Sequence, residues 1–120
     1  MDIQNFTKED EDILRENLKR CSPETIEAAV AFRKTGDASK VGEIILGILA
    51  RFVEPEFKEK LANPSDDLVL MEGLGLDSIT MVEIIVSVED ALGTSIDNNE
   101  LQNLKTLGDI KAFIQKKLTA

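Results

Sequence analysis

Leu70-Met71-Glu72-Gly73-Leu74-Gly75-Leu76-Asp77-Ser78-Ile79 is the stretch on which the reading of this chain turns. Gly73 and Gly75 permit tight or positive-φ backbone, and from Ile79 onward apolar residues recur at helical spacing. The pattern predicts a loop that becomes a helix at Ser78, with the serine in the first turn. Unpaired backbone N–H groups and the positive end of the helix dipole gather there, so a phosphate attached to the Ser78 hydroxyl would be well placed electrostatically. Taken alone, Asp77 or Ser78 reads as no more than an N-cap, worth about 1 kcal/mol.

Working outward, the helix predicted from Ser78 to about Leu92 carries two apolar stripes. Met81, Ile84, Ile85, Val88 and Leu92 make one; Ile79, Val82 and Val86 make a second beside it. Glu83, Ser87 and Asp90 are left for the remaining arc. A helix this apolar either buries most of its circumference or keeps an apolar strip for something else.

The opening stretch, followed by Met81-Val82-Glu83-Ile84 and Glu89-Asp90, resembles the attachment site of acyl carrier proteins, over roughly residues 38–118. The resemblance implies that Ser78, next to Asp77, carries 4′-phosphopantetheine from coenzyme A through a phosphodiester. The arm's thiol would hold an acyl chain as a thioester. It further implies that the helix after the serine helps to form an acyl pocket and docks partner enzymes. Carried over by position, Glu83, Glu89 and Asp90 match acidic residues that meet arginine and lysine on partners, and Ile79 and Val82 match apolar contacts. The implied partners are a phosphopantetheinyl transferase and acyl-loading and acyl-processing enzymes of fatty-acid, polyketide or lipid assembly. This chain departs from the family pattern in three places. Ile79 stands for the usual leucine, Thr80 replaces an acid, and Gly73 replaces an aspartate of fatty-acid carriers, which weakens any inference about a divalent-cation site; no metal is assigned.

Charge fits that expectation. The formal charge is −9, and residues 54–100 hold twelve Asp and Glu against Lys58 and Lys60, a net of −10, so the rest is close to neutral. Such a field disfavours nucleic acid and anionic membrane and favours basic partners, although a charge excess more often serves solubility. No stretch approaches the ~20 apolar residues needed to cross a membrane, and no signal-peptide pattern opens the chain, so a soluble, cytoplasmic protein is expected. Cys21 is the only cysteine, and no histidine is present to activate it, so it reads as an incidental thiol.

The remaining sequence divides at Gly36. Residues 1–36 read as a two-helix extension. Thr7 with Asp10 resembles a capping box, Ile13, Leu14 and Leu18 follow, and Ser22-Pro23 opens a second helix that Gly36 stops. Two such helices are too short to stand alone, so they must pack on the rest of the chain, on a second copy or on a partner. Residues 37–120 read as a carrier domain. A first helix over 38–53 carries Val41, Ile44, Ile45, Ile48, Leu49, Phe52 and Val53. A long connection to Asp77 follows, with an extra helical turn at 55–62. After the Ser78 helix, stopped by Gly93, Asp97 with Glu100 caps a short third helix, and Thr106 with Asp109 begins the last.

The fold predicted is all-α, a small four-helix bundle of acyl-carrier type with a short third helix, plus the extension. With 42% hydrophobic residues in a chain of 120, one modest core is available. An enzyme is not expected. The chain has no His, Tyr or Trp, no phosphate-cradling glycine loop and no EF-hand loop, and Ser78 has no base near it in sequence. Two other readings compete with an acyl carrier: a peptidyl or aminoacyl carrier, and an unmodified helical interaction domain in which Asp77-Ser78 is only a cap.

Overall fold

The computed structural model describes residues 6–119; residues 1–5 of the expected extension and Ala120 lie outside it. Among the described residues the helices are α1 (Lys8–Asn17), α2 (Pro23–Thr35), α3 (Val41–Phe52), α4 (Glu59–Ala62), α5 (Leu70–Leu74), α6 (Ser78–Leu92), α7 (Asn98–Leu101) and α8 (Leu107–Thr119). Short 3-10 turns precede α3 and α4 at Ala38–Lys40 and Pro55–Phe57. The all-α expectation holds, with more helices than four.

Local capping chemistry sets most boundaries. Thr7 and Asp10 exchange side-chain and backbone hydrogen bonds at the start of α1, and Asp97 with Glu100 does the same for α7. Thr106 and Asp109 bond each other reciprocally at the start of α8. Ser22 caps α2 with Pro23 in its first turn. Asp37 caps the 3-10 turn that runs on into α3, so the α-helix proper begins later than 38. Gly36, Gly75 and Gly93 end α2, α5 and α6 in the left-handed region, where a glycine has no Cβ to strain.

The core is one continuous cluster. Ile44, Ile45, Ile48 and Leu49 of α3 meet Ile84, Val88, Ala91 and Leu92 of α6 and Leu107, Ile110 and Ile114 of α8. Leu14, Leu18, Ala29, Val30 and Phe32 from the first two helices belong to the same cluster. Of the three possibilities open to the extension, packing on the rest of its own chain is the one observed: α1 and α2 lie on α6, and α2 also lies on α3. Gly47 makes that approach possible, since a Cβ there would collide with the Thr25 side chain of α2.

Two local expectations change. Ser87, assigned by spacing to the arc of α6 left over from its apolar stripes, is buried; α6 is packed by α1 and α2 as well as by α3. The 54–77 connection carries its extra turn as Pro55–Phe57 and α4, and also holds the short helix α5. The signal for α5 was present in Leu70 and Leu74, four apart and both buried, followed by Gly75. An antiparallel bridge, Val69 to Thr106, ties this connection to the start of α8.

Candidate functional site

Ser78 is the first residue of α6 and is exposed. Three features aim it. Leu74 and Leu76 are buried and pin the turn from below. Gly75, at φ 66°, reverses the chain out of α5, and the Leu76 N–H donates to the Met71 carbonyl at 2.9 Å. Asp77 is the N-cap, its Oδ1 accepting the Thr80 N–H at 2.7 Å. That backbone donor, with the Thr80 hydroxyl, holds the Asp77 carboxyl below its ordinary range. Asp77 is thus an ionised cap occupied with its own helix, and the Ser78 hydroxyl is left to solvent.

The segment before Ser78 is fastened on a second side. The Leu70 N–H donates to the Lys105 carbonyl, the Leu107 N–H to the Leu68 carbonyl and the Gly108 N–H to the Asp66 carbonyl, each at 2.9 Å. Between this strap and α6 opens a groove of about 560 Å³ lined by Val69, Met71, Met81, Val82, Ile85, Leu101 and Leu104, with Ser78 on its lining and Lys105 at its side. Val69 and Leu104 come from other elements, so helical spacing within α6 could not have revealed them.

A phosphopantetheine arm fits this arrangement. The Ser78 hydroxyl is exposed at a helix N-terminus, and the same residue is part of the lining of the apolar groove. Among the described residues no group of three or more His, Cys, Asp or Glu is placed to hold a metal ion. Cys21 is buried, which pushes its thiol pKa up and disfavours the reactive thiolate.

The five expected partner-contact residues fall into two groups. Ile79 is 73% exposed and Val82 51% exposed, and with exposed Glu83 they share a face beside Ser78. Val86 continues this strip. Glu89 and Asp90, about 16 to 18 Å further along the helix, are half-buried. The Glu89 carboxylate accepts the Ile96 N–H at 2.9 Å. Arg33 of α2 donates to the Asp90 carbonyl at 3.1 Å and lies over the Phe6 ring. Burial raises the Asp90 carboxyl pKa, as does neighbouring Glu89, with Arg33 opposing. Both acids line a small cleft whose other wall includes Asp10, Ile13 and Asn17 of α1. The structure therefore gathers Ser78, Ile79, Val82 and Glu83 at one end of α6 and places Glu89 and Asp90 against the extension at the other.

No helix among the described residues is long and apolar enough to cross a membrane. No solved structure gives a significant match to the chain. The family described as "Phosphopantetheine attachment site" matches residues 45–114. The meromycolate extension acyl carrier protein of Mycolicibacterium aurum is 37% identical over 79 residues, 66% of this chain and 80% of that protein. An acyl carrier protein of Rhodococcus erythropolis is 36% identical over 74 residues, 62% of this chain and 81% of its own length. Carriers of this kind are generally non-enzymatic and work with a phosphopantetheinyl transferase and acyl-processing enzymes. With more than half its length matched, and with these relatives, the chain belongs to the acyl carrier proteins of the phosphopantetheine attachment site family.

Proposed function

We propose that Ser78 is the attachment point through which this acyl carrier protein holds its 4′-phosphopantetheine arm. The observation that carries the reading is that an exposed serine at the start of α6 also lines an apolar groove. The arm, once bound, supplies the thiol that holds acyl groups as thioesters. The chain's own residues do the rest. Asp77 sets the first turn of α6, Gly75 and the buried leucines fix the serine's position, and Met81, Ile85 and Leu104 offer an apolar wall. Each methylene sheltered there would contribute about 0.8 kcal/mol. The chain is not itself an enzyme in this proposal. Ser78 is an acceptor: its oxygen would bond the pantetheine-side phosphorus of coenzyme A, the pyrophosphate P–O bond would break to release adenosine 3′,5′-bisphosphate, and the hydroxyl proton would pass to a base outside this chain.

The proposed docking face is Ile79, Val82 and Glu83, an apolar pair beside a carboxylate, suited to partners with basic patches. Glu89 and Asp90 contribute to the acidic field from a more sheltered position. Contacts of this kind are small and steered by charge, which allows rapid release. Residues 37–120 would be the carrier domain and residues 1–36 an addition to it. The cargo class proposed is the acyl intermediates of fatty-acid or other lipid assembly; the Mycolicibacterium aurum relative is named for meromycolate extension. A reducing, cytoplasmic setting goes with the free buried thiol of Cys21. Incubation with coenzyme A and a broad-specificity phosphopantetheinyl transferase, read by intact mass, tests the assignment. One added arm on the wild type and none on Ser78→Ala is expected; an arm on both, or none on folded wild type with a transferase active on another carrier, overturns it.

A further inference from the structure

The turn that hands Ser78 to α6 is gripped from outside by the small helical insertion in the long connection. Phe57, at the end of the 3-10 turn, and Lys60, in α4, are three residues apart, with the Lys60 ammonium 5.5 Å from the Phe57 ring centroid. The Lys60 Nζ donates to the Gly73 carbonyl at 2.9 Å. The Phe57 ring lies so close to Gly75 that a Cβ on that glycine would sit 2.7 Å from Cε2. Lys60 is also one of only two cations in the strongly acidic 54–100 region. A cation placed on a backbone carbonyl and a ring placed on a positive-φ glycine both act on the residues that orient Asp77 and Ser78.

We propose that Phe57 and Lys60 are positioning residues for arm attachment, holding the Gly73–Gly75 turn in the conformation that presents Ser78 to a transferase. This rests on the reading of Ser78 as the attachment point. A five-residue helix that holds one glycine and ends on a positive-φ glycine has many alternatives in water, and the insertion restricts them by occupying the Gly73 carbonyl and covering Gly75. A carrier that is competent only part of the time shows a raised apparent KM by the inverse of that fraction, with kcat unchanged. Charge alone would act in the opposite sense. Removing a cation from this acidic region strengthens attraction to a basic partner surface and lowers KM.

The test measures initial rates of arm transfer from coenzyme A against carrier concentration for wild type, Lys60→Met, Lys60→Arg and Phe57→Leu, with thermal unfolding of each. Lys60→Met and Phe57→Leu are expected to raise KM about 5-fold, the effect of one modest hydrogen bond or contact. Their kcat should hold, Lys60→Arg should restore KM, and all four proteins should remain folded at the assay temperature. A KM that stays put or falls in both variants, on a wild type that accepts its arm at Ser78, overturns the positioning role alone. A wild type that accepts no arm at Ser78 overturns the attachment reading first and this one with it.

Discussion

Asp77 and Ser78 are neighbours with separate tasks, and substitution separates them. Asp77→Ala removes the acceptor for the Thr80 N–H. It should cost about 1 kcal/mol, seen as a fall of a few degrees in Tm, while Ser78→Ala should leave Tm unchanged and abolish arm addition. Gly75→Ala combines a left-handed backbone with a contact against Phe57, so a loss of about 1–3 kcal/mol is expected in a denaturant titration. Glu11 behaves differently again. Its nearly buried carboxylate bonds Lys34 and Arg15, and those partners hold its pKa at about 2, well below the ordinary 4.5. The folded state therefore binds this proton less readily than the unfolded chain does. The stabilisation is present above about pH 4.5 and drains away as pH falls towards 2. Glu11→Gln should flatten the acid limb of a stability–pH curve across that window; an unchanged limb would show that the pair contributes nothing there.

Along α6 the same residue type means different things at its two ends. Glu83 is exposed beside Ile79 and Val82, whereas Glu89 holds the Ile96 N–H. Glu83→Lys should slow arm transfer or acyl loading several-fold at low salt, less so at high salt, with Tm nearly unmoved. Glu89→Lys should lower stability by about 1–3 kcal/mol because a partly buried N–H loses its acceptor. Equal kinetic and equal thermal effects of the two reversals would refute this division of α6. The helix was legible because its stripes, N-cap and terminal Gly93 all lie within one segment. That Ser87 is buried and Glu89 engaged was not legible, because neither follows from helical spacing: Ser87 is covered by packing outside α6, and Glu89 is bonded by the loop that turns back after Gly93.

At the scale of the molecule, the extension and the carrier bundle unfold as one unit if their shared core means what it should. Leu18 is fully buried in the same cluster as Ile44 and Leu92. Leu18→Ala should therefore cost about 2–5 kcal/mol, a large part of the total for a domain of this size. It should lower the midpoint of a single transition reported equally by probes on α2 and α6. Two separated transitions would show the extension to be an independently melting layer. The shared core, the Gly47–Thr25 approach and the Arg33 bond to the Asp90 carbonyl all cross between the two parts and make the single transition the expected result.

By itself the sequence determined the helices whose start, face and stop are encoded within a dozen residues: the capping pairs Thr7–Asp10, Asp97–Glu100 and Thr106–Asp109, the Ser22-Pro23 start, and the apolar stripes of α3 and α6. It also determined the Gly75-Leu76-Asp77-Ser78 corner, since turn glycines, cap and helix onset are adjacent there. Only the tertiary structure decided where the extension rests, which acids of α6 remain open, how the groove at Ser78 is completed by Val69 and Leu104, and that Phe57 and Lys60 reach the serine's turn. Capping and periodicity are short-range and survive in isolated segments of chain. Contacts between residues far apart in sequence exist only once loop closure has been offset by burial in a common core.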